Sequence, residues 1–382
     1  MASAHITVVS ASIGAGHDGA AKEIERRLTG LGYDVRHFDF LDLLPGRMGA
    51  AIRRTYATEL ALAPRTWGWL LGALEHGRAA SAASALACRV AAARARSALQ
   101  SGPSVVVSTY PLASQVLGQL RGNGELAAPV VTFLTDMSVH PLWVAPGVDL
   151  HLALHEVPAR QAARHGARVR VAGAAVDPAF HPYWTYAERS ATRAVHGIPA
   201  DRPAALVVGG SLGVGDVEAT MRDIAASGVA VPVAVCGANT RLRNRIRRSG
   251  AGLALGWVHE MAPLMRACDV VIQNAGGLTS LEAIACGVPV VSYRCLAGHG
   301  LTNTQALQEA GLAAWARDLR ELRDALENAV SMARQARPAI TIADDPASVV
   351  AALAGPPVRY AIPPAPATGA TTLLPSRQPA VT

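Results

Sequence analysis

The chain has 382 residues, a formal net charge of +7 and five cysteines. That length suits two domains, and 51% hydrophobic against 16% charged residues supports large cores and excludes general disorder. Aromatic residues are only 4% and no basic stripe is interleaved with them, so nucleic acid is not an expected partner. Cys88, Cys236, Cys268, Cys286 and Cys295 form no C-x-x-C pair, which argues against a zinc site or a disulfide framework.

No basic region precedes the buried-strand pattern of His5 to Ser10. The aliphatic stretch Ala79 to Ala93 is broken by Arg89 and is too short to span a bilayer. The expectation is a cytoplasmic chain that touches a membrane surface without crossing it. In chain order, the pattern predicts strands over Ile6–Val9, Val35–Phe38, Ser104–Ser108, Val130–Leu134, Leu150–Leu154 and Val169–Val171. A second set follows over Ala205–Val208, Val231–Val235, Ala254–Leu255, Val270–Ile272 and Val288–Ser292. Helical periodicity lies between most of them, which predicts an α/β fold with parallel sheets covered on both faces. The pattern starts afresh near Ala205, after a stretch with prolines at 178, 182 and 199. The reading is therefore an N-terminal domain over 1–176, a linker over 177–203, a C-terminal domain over 204–355 and a flexible tail over 356–382.

Each domain opens with a strand and a glycine loop. The first, Gly14-Ala15-Gly16-His17-Asp18-Gly19, fits G-x-G-x-x-G, and Asp39 lies twenty residues further on. Alone, this supports dinucleotide binding and an NAD(P)-dependent oxidoreductase. His17, at a strand-to-helix turn, is placed where a helix N-terminus disfavours imidazolium, so it suits a neutral general base; capping of the turn is the structural alternative. The second loop has four glycines in seven residues, Gly209 to Gly215, with Ser211 as an added donor. Converging backbone N–H groups there suit a phosphate, although no Gly-Lys-Ser/Thr follows. The third, Asn274 to Ala283, opens a helix after a buried strand. Gly276 and Gly277 expose its N-terminus to an anion, Thr279 and Ser280 are candidate caps, and Glu282 can accept from two vicinal hydroxyls or serve a capping box.

Four blocks in this order resemble the GT-B glycosyltransferases of the monogalactosyldiacylglycerol synthase type, related to the enzyme that adds N-acetylglucosamine to a lipid-linked peptidoglycan precursor. They are Gly14-Ala15-Gly16-His17; Thr135-Asp136 with His140-Pro141-Leu142-Trp143; Gly256-Trp257-Val258 with Met261, Met265 and Asp269; and Asn274 to Glu282 with Gly287-Val288-Pro289. The resemblance implies two Rossmann-like domains facing a cleft and transfer of a sugar from a UDP-sugar to a hydroxyl acceptor such as diacylglycerol. It implies His17 as general base, with Asp136 beside it as a catalytic candidate, and Gly16, His140 and Trp143 on the acceptor side. On the donor side it implies Gly209, Gly210 and Ser211 toward the diphosphate, and Val258 and Met261 beside the base. Gly276, Gly277, Leu278 and Thr279 fall at the phosphate-side helix start, Glu282 on the ribose, and His299, Gly300 and Asn303 near the sugar. Inverting, metal-independent displacement without a cofactor follows from the same resemblance. Galactolipid synthases tend to carry Pro-Gly-Gln-Glu where this chain has Ala297-Gly298-His299-Gly300, so the sugar stays open.

Between Leu43 and Leu99, Arg47, Arg53, Arg54, Arg65, Arg78, Arg89, Arg94 and Arg96 accompany Trp67, Trp69, Leu70 and Leu71. Such a mixture suits an interfacial surface or an anionic membrane; an ordinary helical layer is the alternative. The run Arg241, Arg243, Arg245, Arg247 and Arg248 reads as a solvated helix. A non-catalytic nucleotide-sugar- or lipid-binding protein is the remaining reading.

Overall fold

The computed structural model describes residues 5–13, 15–54, 78–210, 213–333 and 344–357. Gly14, Ser211, Arg65, Trp67, Trp69, Leu70, Leu71 and the tail beyond 357 lie outside the described residues.

The first half holds β1 (His5–Ser10), α1 (Ala15–Gly30), β2 (Asp34–Asp39), α2 (Arg78–Ala98), β3 (Val105–Ser108), α3 (Pro111–Gly122), β4 (Val130–Phe133), β5 (Leu150–Ala153), α4 (Glu156–Arg164) and β6 (Val169–Val171). These strands form one sheet in the order β2-β1-β3-β4-β5-β6. After α5 (Tyr186–His196), the second half holds β7 (Ala204–Val208), α6 (Val217–Ser227), β8 (Val231–Val235), α7 (Thr240–Ser249), β9 (Leu253–Leu255), α8 (Met261–Ala267), β10 (Val270–Gln273), α9 (Leu278–Ala285), β11 (Val290–Ser292), α10 (His299–Glu309), β12 (Ala314–Trp315), α11 (Leu319–Ala333) and α12 (Pro346–Ala354). Its sheet runs β12-β11-β10-β7-β8-β9. All the strand pairs are parallel. In such sheets both faces are covered, which is why β1, β3, β4, β7 and β10 are buried along their whole length.

Each sheet separates two apolar layers. Ile6, Val8 and Val107 pack with Ala21, Ile24 and Leu28 of α1, while Val9 and Val106 face Leu117 and Leu120 of α3. In the second sheet Val207 and Ile272 meet Met221, Ile224 and Leu326, and Leu206 and Val271 meet Leu264 and Met265.

Two placements differ from the sequence reading. The stretch read as a linker contains α5, which starts with a reciprocal Thr185–Glu188 capping box and ends at Gly197 with φ +68°. Its Arg193 and Arg189 each reach Asp269 at 2.7 Å, and Asp269 also accepts from Ala204 N at 2.8 Å. Asp269, read with the base-side stretch, is thus consumed in fastening α5 to the second sheet. The last helix, α12, packs on the first domain: Ala347, Val349 and Val350 share a cluster with Ile24 and Leu28. Arg27 donates to Asp345 at 2.6 Å, and Tyr33 Oη donates to Gly355 O at 2.6 Å. An apolar segment such as Pro346–Ala354 carries no sign of which sheet it will cover, so position along the chain assigned it to the nearer one.

Smaller differences have local causes. β11 starts at Val290 rather than Val288, because Gly287 and Val288 donate back to Ile284 O and Ala283 O and close the end of α9. The two-residue β12 was too short for any periodicity to register.

Candidate active site

In open parallel sheets, ligands lie outside the carboxyl ends of the strands where the strand order reverses. The first sheet reverses between β1 and β3, and the second between β7 and β10. Both reversal points carry residues singled out in the sequence, and α1 and α9 bring the two points together.

At the first, α1 begins just after β1, and His17 in its first turn leans on the segment after β3. His17 Nδ1 is 2.9 Å from Thr109 O and 2.9 Å from Thr135 Oγ1, and Thr109 Oγ1 donates to His17 O at 3.1 Å. A carbonyl only accepts, so Nδ1 carries the proton and neutral His17 keeps its lone pair on Nε2. The ring is packed edge-on against Tyr110 at 5.4 Å and tilted against Trp143 at 5.8 Å. Burial lowers the pKa of His17, with Asp136 pulling up against it and His299 adding to the lowering. An imidazole so held is a general base with one free nitrogen.

Trp143 is 0% exposed. It backs the His17 ring and presents no surface to an acceptor, contrary to the acceptor-side expectation. His140 is largely buried, its Nδ1 has no hydrogen-bond partner among the described residues, and burial pushes its pKa down to about 4. Gly16, in the first turn of α1, has open space where a side chain would be.

At the second reversal point, the loops after β7 and β10 are tied together. Asn274 Nδ2 donates to Val214 O at 2.8 Å, and Val214 N donates to Gly209 O at 2.7 Å. Gly210 has φ +69° and no atom near its missing side chain. Gln273, the polar last residue of an otherwise aliphatic strand, accepts from Ala275 N at 2.7 Å and from Gly276 N. Those two amides are therefore spent inside the loop. The N–H groups of Gly277, Leu278 and Thr279 have no acceptor among the described residues, and they form the open amino end of α9.

The helix start differs from the expected caps. Its N-cap is Gly277 with no side-chain bond, and Ser280 Oγ is buried without a partner among the described residues. Glu282 lies in the second turn, since the first holds no acidic residue, and so is not a capping-box glutamate. Its carboxylate has no recorded partner among the described residues, and burial, helped by Asp177, pushes its pKa up to about 7. Val258 and Met261 pack partly buried at the edge of the second core, before and at the start of α8.

The two halves meet through α9 and α10. A side chain on Gly19 would come within 2.7 Å of Leu278 Cδ2, so the third glycine of the first loop allows α1 to approach α9. Asn303, 3% exposed, accepts from Ser138 N at 2.8 Å and Ser138 Oγ at 2.9 Å, and lies 3.4 Å from Asp136 Oδ1. This residue, expected near a sugar, is occupied in joining the domains. His299 Nε2 is 4.0 Å from Asp136 Oδ2, and its ring is 5.2 Å from that of His140. Gly300 sits where a side chain would meet Asn274 O at 2.8 Å.

The dinucleotide reading loses its acidic residue. Asp39 accepts from Leu41 N at 2.9 Å and from Arg53 at 2.8 Å, and although burial opposes it, these bonds and Ser12 hold its pKa below the usual range. Of the basic residues proposed for a membrane face, Arg53 also reaches Asp42 at 2.7 Å, Arg94 donates to Leu44 O at 2.6 Å and Arg96 pairs with Glu125. These three stabilise the fold. Arg241, Arg245, Arg247 and Arg248 of α7 are exposed, as expected for a solvated helix. No helix among the described residues is long and apolar enough to cross a membrane. Sequence reasoning did not pick out Thr109 or Gln273; a polar residue ending a buried strand was the available signal for Gln273.

Two Rossmann-like domains joined at the carboxyl edges of their sheets define a GT-B glycosyltransferase fold. HepE of Anabaena, solved in complex with UDP, shares this fold with a TM-score of 0.53 at 15% identity, covering 88% of this chain and 96% of that one. Residues 17–174 match the family described as monogalactosyldiacylglycerol (MGDG) synthase, and residues 216–331 match glycosyl transferases group 1. The chain belongs with the GT-B glycosyltransferases of the monogalactosyldiacylglycerol synthase type. Monogalactosyldiacylglycerol synthase 1 of Arabidopsis thaliana is 29% identical over 238 residues, 58% of this chain and 44% of that protein. The processive diacylglycerol beta-glucosyltransferase of Bacillus pumilus is 24% identical over 220 residues, 55% of this chain and 56% of that protein. The chain thus spans about half the length of the curated relatives it matches.

Proposed function

We propose that the protein transfers a sugar from a UDP-sugar to a hydroxyl of a lipid such as diacylglycerol, by inverting displacement without a metal, at the cytoplasmic surface of a membrane. His17 Nε2 takes the acceptor proton while the nucleoside diphosphate leaves toward the open amides of α9. Gly209, Gly210 and Ser211 line the diphosphate, Val258 and Met261 the base, and Glu282 accepts from the ribose hydroxyls. The observation that carries this reading is the pairing of a base of fixed tautomer with an open helix start from the other domain, held together at Gly19 and Leu278. Aligned amides aimed at developing charge stabilise a leaving diphosphate. The two relatives named above act, by their names, on diacylglycerol.

The test is purified protein incubated with a panel of UDP-sugars and a lipid extract, read by mass spectrometry. A new glycolipid that disappears in His17→Ala supports the reading. Normal transfer by His17→Ala overturns the base assignment, and protection from heating by NAD(H) but not by UDP overturns the donor.

A further inference from the structure

His299 departs from the glutamine of the resembling family, and its surroundings give it a task. Gly300 lies against Asn274 O at 2.8 Å and Leu296 Cβ at 3.0 Å, counted from where its side chain would start. One turn on, Asn303 Nδ2 is 3.4 Å from Ala275 O. The starts of α9 and α10 therefore lie side by side, with His299 as the first residue of the second. The crowding at Gly300 also leaves no room for the carboxylate that galactolipid synthases tend to place there. His299 remains about one-third exposed, and its Nε2 faces Asp136 Oδ2 of the other domain at 4.0 Å. With Nε2 turned to that carboxylate, Nδ1 is the nitrogen left to a ligand, and no partner for it is recorded among the described residues.

We propose that His299, held as an imidazolium by Asp136 across the domain seam, binds the β-phosphate of the nucleoside diphosphate and donates a hydrogen bond to its departing oxygen. This rests on the glycosyltransferase reading above and assigns the cation that serves the leaving group. In the step, the bond from the anomeric carbon to the β-phosphate oxygen breaks with its electron pair passing to that oxygen. The bond from the anomeric carbon to the acceptor oxygen forms, and the acceptor proton passes to His17 Nε2. His299 keeps its own proton. A charge-assisted donor at this point is stronger than a neutral one, and Asp136 belongs to the first domain, so the cation is in place only when the domains are joined.

The experiment is titration calorimetry of uridine, UMP and UDP against the wild-type protein, His299→Gln and His299→Arg, with folding checked by circular dichroism. The expected result is a loss of about tenfold or more in UDP affinity for His299→Gln, unchanged uridine and UMP binding, and recovery to within about threefold in His299→Arg, whose charge does not depend on Asp136. Equal losses for all three ligands, no loss with UDP, or a loss that arginine fails to restore overturns the proposal and leaves the glycosyltransferase reading standing. Failure of the wild-type protein to bind UDP overturns both.

Discussion

His17 Nδ1 lies 2.9 Å from the carbonyl oxygen of Thr109, and that contact decides which ring nitrogen is left for chemistry. The carbonyl belongs to the backbone and survives substitution, but Thr135 Oγ1 sits at the same distance from the same atom and can be removed. Thr135→Val is expected to lower kcat about tenfold while leaving the donor KM within about twofold, because the ring loses one of two partners that hold it. Initial-rate kinetics with varied donor check this. A change confined to KM would show that Thr135 acts on binding instead.

The charge state of His17 gives a pH prediction. Burial lowers its pKa, so the neutral base persists as the pH falls below the ordinary histidine range. Activity is expected to be lost only on the acid side of 6.5, the unperturbed value, as the imidazole takes a proton. A profile of kcat/KM against pH checks it, and an acid limb above that value would contradict the burial argument.

Glu282 titrates in the opposite sense. Its pKa is pushed up to about 7, so the carboxylate that accepts ribose hydroxyls is populated only as the pH rises through that value. Uridine affinity is expected to increase between pH 6 and 8, and Glu282→Gln to bind about tenfold more weakly with a flat profile. Calorimetry across that range checks both. Equal pH dependence in the variant would place the titrating group elsewhere.

Two glycines at φ +69° separate backbone strain from packing. A side chain on Gly276 would meet Asn303 Cβ at 2.6 Å, whereas Gly210 has open space. Gly210→Ala is expected to cost only the left-handed backbone, about 1 kcal/mol. Gly276→Ala is expected to cost at least about 2 kcal/mol and to weaken UDP binding, since it pushes on the seam as well. Denaturant melts of the two variants compare them directly, and equal costs would refute the packing argument.

Asn303 is the residue most changed by folding. Its Oδ1 accepts from Ser138 N and Ser138 Oγ, so Asn303→Ala strips two buried donors of their acceptor. A loss of roughly 2–3 kcal/mol is expected, with faster hydrogen exchange at residues 136–138 than in the wild type. Unchanged exchange there would mean that the seam does not depend on this side chain.

The elements that the sequence made legible are those whose signal is local. Aliphatic runs such as Val105–Val107 and Val270–Ile272 are buried on both faces, and their alternation with helical periods was enough for two parallel sheets. His17 and the glycines before α9 stood out because a turn between strand and helix leaves a mark of its own. Trp143 was misread because an aromatic beside a histidine looks the same from the chain whether it faces a ligand or supports a ring.

The sequence by itself determined two Rossmann-like domains, a histidine at the first loop and an open helix start at the third, since each depends on residues within a few positions. Tertiary structure alone decided what joins them. Thr109 selecting the tautomer of His17, Gly19 admitting Leu278, Asn303 bridging to Ser138 and α12 returning to the first sheet all link positions that are distant in the chain. A contact across such separations leaves no periodicity in the sequence, because it is set by how whole sheets and helices pack and not by the local preference of either residue.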